Sequence, residues 1–179
     1  ELIVNAGLDQ TVDLGFSTPL TATTSVPFGV FTYEWSPVEG LSCIDCRRTE
    51  ATPPNTTTYT VLVTDELGCT ATDDVTIEVF KNRPIHIPNV FSPNGDGAND
   101  FFTAFSGPAA QRIKILRVFN RWGALVFETT DIDLNDELLG WNGTFKGKKL
   151  PADVFAYYME IEFLDQEVIL YKGDVTILK

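Results

Sequence analysis

Thr57-Thr58-Tyr59-Thr60-Val61-Leu62-Val63-Thr64-Asp65 is the stretch that decides the fold of the first half. Tyr59, Val61 and Val63 fall on one side and Thr58, Thr60 and Thr64 on the other, the two-residue period of a half-buried strand. Asp74-Val75-Thr76-Ile77-Glu78-Val79 repeats the pattern, with Val75, Ile77 and Val79 on one face. Between the two, Glu66-Leu67-Gly68-Cys69 is short and contains a glycine, which predicts a hairpin turn. Upstream, Phe31-Thr32-Tyr33-Glu34-Trp35 puts three aromatics on one face of a third strand, and Leu20–Thr23 supplies a fourth. Several short strands separated by turns predict a β-sandwich of immunoglobulin type. β-Branched residues crowd every periodic window, which disfavours helix.

Phe80-Lys81-Asn82-Arg83-Pro84 then interrupts the pattern with charge and a proline that no central strand accommodates. A domain boundary is expected there, dividing the chain into residues 1–83 and 84–179. The second half starts again with Ile85–Phe91. It continues with Ile113–Phe119, a turn at Asn120–Gly123, Ala124–Glu128, then Val154–Phe163, a turn at Leu164–Glu167, and Val168–Leu178. Asp131–Leu139 is polar and acidic, with room for one helical turn. The fold class expected for the whole is therefore all-β, as two consecutive β-sandwich domains of immunoglobulin-like type.

The 179 residues are 44% hydrophobic and 21% charged, a globular composition. No apolar run approaches the roughly 18 residues that a membrane-spanning helix needs, so no transmembrane segment is expected. Nor does the chain open on a basic stretch followed by an apolar core, so it reads as cytosolic or as a fragment of something longer. The formal net charge is −12, with 4 basic against 12 acidic side chains in residues 1–83 and 9 against 13 in residues 84–179. Such a field repels polyphosphates and anionic membrane surfaces, which excludes nucleic acid as a partner. With a single His, His86, a His-rich zinc site cannot be assembled. His86 reads as a solvated linker residue.

The most site-like segment is Asn94-Gly95-Asp96-Gly97-Ala98-Asn99-Asp100. In the register of a calcium loop, Ser92, Asn94 and Asp96 take positions 1, 3 and 5, Gly97 the sharp turn, Ala98 a carbonyl ligand and Asp100 position 9. The loop offers only two carboxylates, and Thr103 stands where a bidentate Glu belongs. The competing reading, which we prefer, is a turn whose side chains bond their own backbone. Cys43 and Cys46 form C-x-x-C, with Cys69 alone. Without a second pair or a nearby His, zinc lacks ligands. The plain reading is a local Cys43–Cys46 bridge, with Cys69 pairing to one of the two as the alternative. Trp35 reads as a core residue rather than a carbohydrate platform, and Trp122 as packing its turn onto the sheet or meeting a partner. Trp141 is expected to pack at a strand end. Asp131, Asp133, Asp136 and Glu137, and the lysines Lys146, Lys148 and Lys149, read as solvated loops.

Five motifs in order carry a resemblance. They are Ile87-Pro88-Asn89-Val90-Phe91-Ser92-Pro93-Asn94-Gly95-Asp96-Gly97-Ala98-Asn99-Asp100-Phe101-Phe102; Val118-Phe119-Asn120-Arg121-Trp122-Gly123-Ala124-Leu125-Val126-Phe127; Trp141-Asn142-Gly143-Thr144; Leu150-Pro151-Ala152-Asp153-Val154-Phe155-Ala156-Tyr157-Tyr158; and Tyr171-Lys172-Gly173-Asp174-Val175-Thr176. Residues 84–179 thereby resemble the gliding-motility-associated C-terminal domain, the type B sorting domain of type IX secretion cargo. The first half is similar to the immunoglobulin-like or PKD-like repeats that precede this domain in large surface adhesins, through Tyr33-Glu34-Trp35-Ser36-Pro37, Gly40-Leu41-Ser42-Cys43, Thr57-Thr58-Tyr59-Thr60-Val61 and Thr64-Asp65-Glu66-Leu67-Gly68-Cys69.

What the resemblance implies is a non-catalytic, monomeric fragment that directs a large protein across the outer membrane to the cell surface or the medium. The implied partners are the translocon and shuttle proteins of the type IX machinery. Recognition is expected at Asn120, Arg121, Trp122 and Gly123, and at Tyr171, Lys172 and Gly173 in the terminal hairpin Val154–Leu178, whose edge would accept an added strand. The rival readings are an adhesin module that binds carbohydrate or calcium, and an accessory region of an enzyme.

Overall fold

In the computed structural model, which describes residues 2–26 and 28–178, Thr57–Asp65 is a nine-residue strand with Tyr59, Val61 and Val63 fully buried. Glu1, Pro27 and Lys179 lie outside the described residues. The chain divides into two compact units, Glu1–Asn82 and Arg83–Lys179.

The first unit contains β1 (Val4–Asn5), β2 (Gln10–Asp13), β3 (Thr18–Thr21), β4 (Thr23–Thr24), β5 (Phe31–Ser36), β6 (Arg48–Ala51), β7 (Thr57–Asp65) and β8 (Thr70–Phe80). Strands β2-β8-β7-β5 form one sheet; β3-β6 and β1-β4 form the opposing layer. Leu20 and Ala51 from one layer meet Trp35, Tyr59, Val61, Val75 and Ile77 from the other, so the core lies between them. Of the three aromatics of β5 Trp35 is fully buried, and Phe31 and Tyr33 are partly buried and packed against the same core. The Leu20–Thr23 strand is split at Ala22, whose N–H donates to the Arg47 carbonyl instead of a ladder partner.

The second unit contains β9 (Ile85–His86), β10 (Val90–Phe91), β11 (Phe105–Ser106), β12 (Ala110–Phe119), β13 (Leu125–Ile132), β14 (Thr144–Phe145), β15 (Lys148–Lys149), β16 (Val154–Phe163) and β17 (Val168–Ile177). A five-stranded sheet runs β10-β17-β16-β12-β13, and β9-β11 and β14-β15 are short ribbons outside it. The acidic stretch supplies one turn of 3-10 helix, Glu137–Leu139, capped by the Asp136 carboxylate accepting from the Leu138 N–H at 3.0 Å. The leading segment Ile85–Phe91 is two short strands, because Pro88 cannot donate to a ladder. Its first half pairs with β11, so His86 sits opposite Phe105, rings 6.3 Å apart, and is a strand residue rather than a linker residue.

Both units are all-β sandwiches. In the second, one face of the sheet is apolar: Ile113, Leu116 and Val118 of β12, Met159 and Ile161 of β16, and Val175 and Ile177 of β17 are buried. The opposite face carries the charged side chains described next.

Candidate recognition surface

The motif residues sort into two groups by burial. Phe91, Phe102, Trp141 and Phe155 are buried and share one aromatic cluster, with Trp141 at its centre, 5.4 Å from Phe91 and 5.0 Å from Phe155. The Trp141 indole N–H donates to the Thr144 carbonyl at 2.9 Å, and Trp141 and Phe102 exchange backbone hydrogen bonds. Tyr157 packs its ring 5.2 Å from Phe102 and lies over Gly173, its partner across the strands. A Cβ on Gly173 would sit 2.9–3.1 Å from the hydroxyl end of that side chain, so a larger residue must push the tyrosine aside. These residues build the fold; a partner can touch only the remainder.

Foremost among the remainder is the β12–β13 turn. The Asn120 side-chain oxygen accepts from the Trp122 N–H at 3.0 Å and the Ala124 N–H at 2.9 Å, and Gly123 takes φ +74°, a left-handed conformation that favours glycine. Arg121 forms an ion pair with Asp153, whose carboxylate also accepts from the Val154 N–H at 2.8 Å. That backbone bond, followed by the Arg121 guanidinium, holds the Asp153 carboxyl below the usual carboxylate range. So the turn is fixed, yet Trp122 is 85% exposed. The expected packing of Trp122 onto the sheet does not occur: the bonds that close the turn also point the indole outward. Beside it lies an open groove of about 750 Å³ lined by Phe119, Asn120, Arg121, Val154, Ala156 and Asp174. The groove joins the turn to the last strand, since Phe119 pairs with Ala156 and Ala156 with Asp174.

Lys172 lies one row further along the same face. The row reads Glu128, Arg117, Tyr158, Lys172 across four strands. Arg117 pairs with Glu128 at 2.5 Å, and the Tyr158 hydroxyl donates to Glu160. Tyr171 and Gly173 point to the other side, so the three residues expected to act together are divided between two faces. The terminal hairpin is not an edge as a whole. β16 is interior, between β12 and β17; among the described residues β17 has no strand on its other side before Thr176, where β10 pairs with it. Asp174, which lines the groove, and Asp153, which holds Arg121, were not singled out from sequence; Asp153 stands 32 residues from Arg121, a separation that no local pattern reveals.

The Asn94–Asp100 loop closes on itself. Asp100 accepts from the Gly95 N–H at 2.6 Å and the Gly97 N–H at 2.9 Å, while Asp96 accepts from the Ala98 N–H at 2.9 Å and the Asn94 amide at 2.8 Å. Every carboxylate oxygen of the loop has a donor within the loop. The Asn94 amide, then the Ala98 N–H, lower the Asp96 carboxyl below its ordinary pKa. In the first unit Cys43 and Cys46 are joined, with Cα atoms 5.7 Å apart, and Cys69 is free and exposed. Their loop lies along β5: the Trp35 N–H donates to the Ile44 carbonyl at 2.7 Å and its indole N–H to the Cys46 carbonyl at 2.9 Å. Among the described residues no helix is long and apolar enough to cross a membrane.

Three solved structures illustrate the fold likeness. A PKD domain from the KIAA 1837 protein is 23% identical over 44% of this chain and 86% of its own, with a TM-score of 0.38. Fibronectin(III)-like modules of Clostridium thermocellum CbhA are 12% identical over 99% of this chain and 93% of theirs, with a TM-score of 0.33. Dimeric latent PorU from Porphyromonas gingivalis is 11% identical over 95% of this chain, with a TM-score of 0.36, and the chain spans 19% of that protein's length. No curated protein matches the chain. The family model of the CHU_C type IX secretion signal domain matches residues 85–177, which hold the aromatic cluster, the Asn120–Gly123 turn and the last strand. By that match, over more than half of its length, the chain belongs to the CHU_C type IX secretion signal domain family.

Proposed function

We propose that the second unit is the sorting signal of a large cell-surface or secreted protein, possessing no catalysis of its own. The first unit is a structural immunoglobulin-like or PKD-like repeat ahead of it. The observation that carries the reading is the family match over residues 85–177, which implies handling by the type IX secretion machinery and export across the outer membrane. Surface chemistry supports it. Among the exposed motif residues, those of the Asn120–Gly123 turn present Trp122 beside a groove. An exposed aromatic on a fixed backbone is the kind of anchor that dominates protein–protein contacts, because little side-chain freedom is lost on binding.

In this reading the translocon or its shuttle protein contacts the folded unit at Asn120–Gly123 and the outer face around Lys172. The Asn94–Asp100 loop is a self-closed turn that shapes the neighbouring surface, since its carboxylates already serve the loop's own N–H groups. The Cys43–Cys46 bridge holds a cover over the β5 edge of the repeat. Fusing residues 83–179, the whole second unit, behind a signal peptide and a reporter in a type IX-competent cell tests the proposal; a folded fusion left in the periplasm overturns it.

A further inference from the structure

β17 is bonded to β16 through nine consecutive residue pairs with no irregularity, from Val154↔Thr176 to Glu162↔Val168. On its other side it meets only β10, at Thr176 and Ile177. The direction of its backbone groups follows from three bonds. The Thr176 N–H donates outward to Asn89 and the Leu178 N–H outward to Phe91, whereas the Ile177 N–H donates inward to Asp153. Even-numbered residues therefore point their N–H and C=O away from the sheet. Those of Leu170, Lys172 and Asp174 have no strand beside them among the described residues.

Proteins normally blunt such an edge with bulges, prolines or inward charges. The opposite edge is blunted: β12 shifts register against β13, and Asp131 of β13 takes φ +53°. β17 has no bulge, proline or left-handed residue over Val168–Asp174. Its outward face carries Val168 and Leu170, each more than two-fifths exposed, followed by Lys172 and Asp174, neither of which is in an ion pair among the described residues.

We propose that the outer edge of β17, Val168 to Asp174, is a strand-addition site. Its occupant is an extended segment of the secretion machinery, running antiparallel, with a base opposite Asp174, an acid opposite Lys172 and an apolar side chain opposite Leu170. The inference rests on the sorting reading for the identity of the occupant, and on the edge alone for its chemistry. Antiparallel pairing is the more stable arrangement per residue, and directly opposed charges of unlike sign support it while like charges oppose it.

The test uses the whole chain, isotopically labelled, and two synthetic peptides. One reads Lys-Val-Glu-Val-Leu-Val-Thr, complementary to Asp174 through Val168; the other exchanges its Lys and Glu. The first should perturb the amide signals of Leu170, Lys172 and Asp174 and bind about tenfold tighter than the second. The double variant Lys172→Glu, Asp174→Lys should reverse that preference. Lys172→Pro removes an outward N–H and leaves the β16 ladder intact, so it should melt as the parent does, lose peptide binding, and reduce reporter export at least tenfold.

Equal binding of the two peptides, no perturbation of those amides, or normal export of a folded Lys172→Pro chain overturns the proposal. Should Lys172→Pro not fold, the charge-reversal variant decides. A dimer that Lys172→Pro dissolves puts a second copy on the edge and overturns the assigned occupant. If the parent fusion itself is not exported, the sorting reading fails, and the peptides still decide the edge.

Discussion

Arg83 is the first residue of the second unit, and its guanidinium reaches the turn of the terminal hairpin to pair with Asp165 at 2.5 Å. The arginine side chain is 16% exposed and the aspartate 5%, while Glu167 joins at 3.5 Å from a mostly exposed position. The guanidinium also stands 5.2 Å from the centre of the Phe163 ring. Removing one member of a buried ion pair leaves the other charge desolvated and uncompensated, at a cost of about 3–5 kcal/mol. The lower end applies here, because the Arg83 Nε is buried without a hydrogen-bond partner and Glu167 still stands 3.5 Å from the guanidinium. Against a unit stability of roughly 5–15 kcal/mol, a loss of about 3 kcal/mol is large, and it corresponds to about 12–24 °C in melting temperature for a domain of this size. Arg83→Ala or Asp165→Ala should each produce that fall in calorimetry of the whole chain, with the first unit's transition unmoved. The joint change Arg83→Met, Asp165→Leu should recover most of it, since both charges leave together. A single variant losing less than about 1 kcal/mol would refute the reasoning, because water would then be screening the pair as it does at a surface.

Further outcomes follow from the surface and the loops. Intact-mass analysis should show one disulfide and alkylation of Cys69 alone before reduction; labelling of all three cysteines contradicts the Cys43–Cys46 bridge. Asp96 and Asp153 have lowered pKa values in the folded chain, so each contributes stability above its unfolded pKa of about 3.9 that is lost as pH falls through the folded value. The second unit should therefore melt lower at pH 3 than at pH 6, and the fall should shrink in Asp96→Asn and Asp153→Asn; an equal fall in both variants removes this assignment. Gly173→Ala drives a methyl into the Tyr157 ring and should destabilise by about 1–3 kcal/mol, with Tyr157→Ala in the same chain relieving the clash; additive losses count against it. Trp122→Ala should leave stability within about 0.5 kcal/mol while reducing export, and normal export removes Trp122 from the recognition surface.

The long strands were legible because they have a strong period. Thr57–Asp65 and Val154–Phe163 are strands with the same bounds in sequence and in structure. The two-residue strands β1 and β11 were not, since two residues carry no period and are held by partners distant in sequence. The motifs marked the right positions without saying which are core. Trp141 and Trp122 look alike in the chain, and only tertiary packing buries the first and exposes the second. Asn94–Asp100 shows the same limit: oxygens spaced for a cation are spaced equally well for the loop's own N–H groups, which the backbone path brings to them. Arg83 read as part of a charged linker because its partner lies 82 residues away.

The central claim, that the second unit is a type IX sorting signal, is tested most directly by where it sends a passenger. Residues 83–179, which retain Arg83, are placed behind a signal peptide and a fluorescent reporter, and expressed in a type IX-competent cell and in its isogenic strain lacking the translocon. Protease added to intact cells, together with assay of the medium, reports how much reporter has crossed the outer membrane. The account predicts reporter at the surface or in the medium of the first strain and in the periplasm of the second. Reporter confined to the periplasm in both strains, with the fused unit folded, would contradict it.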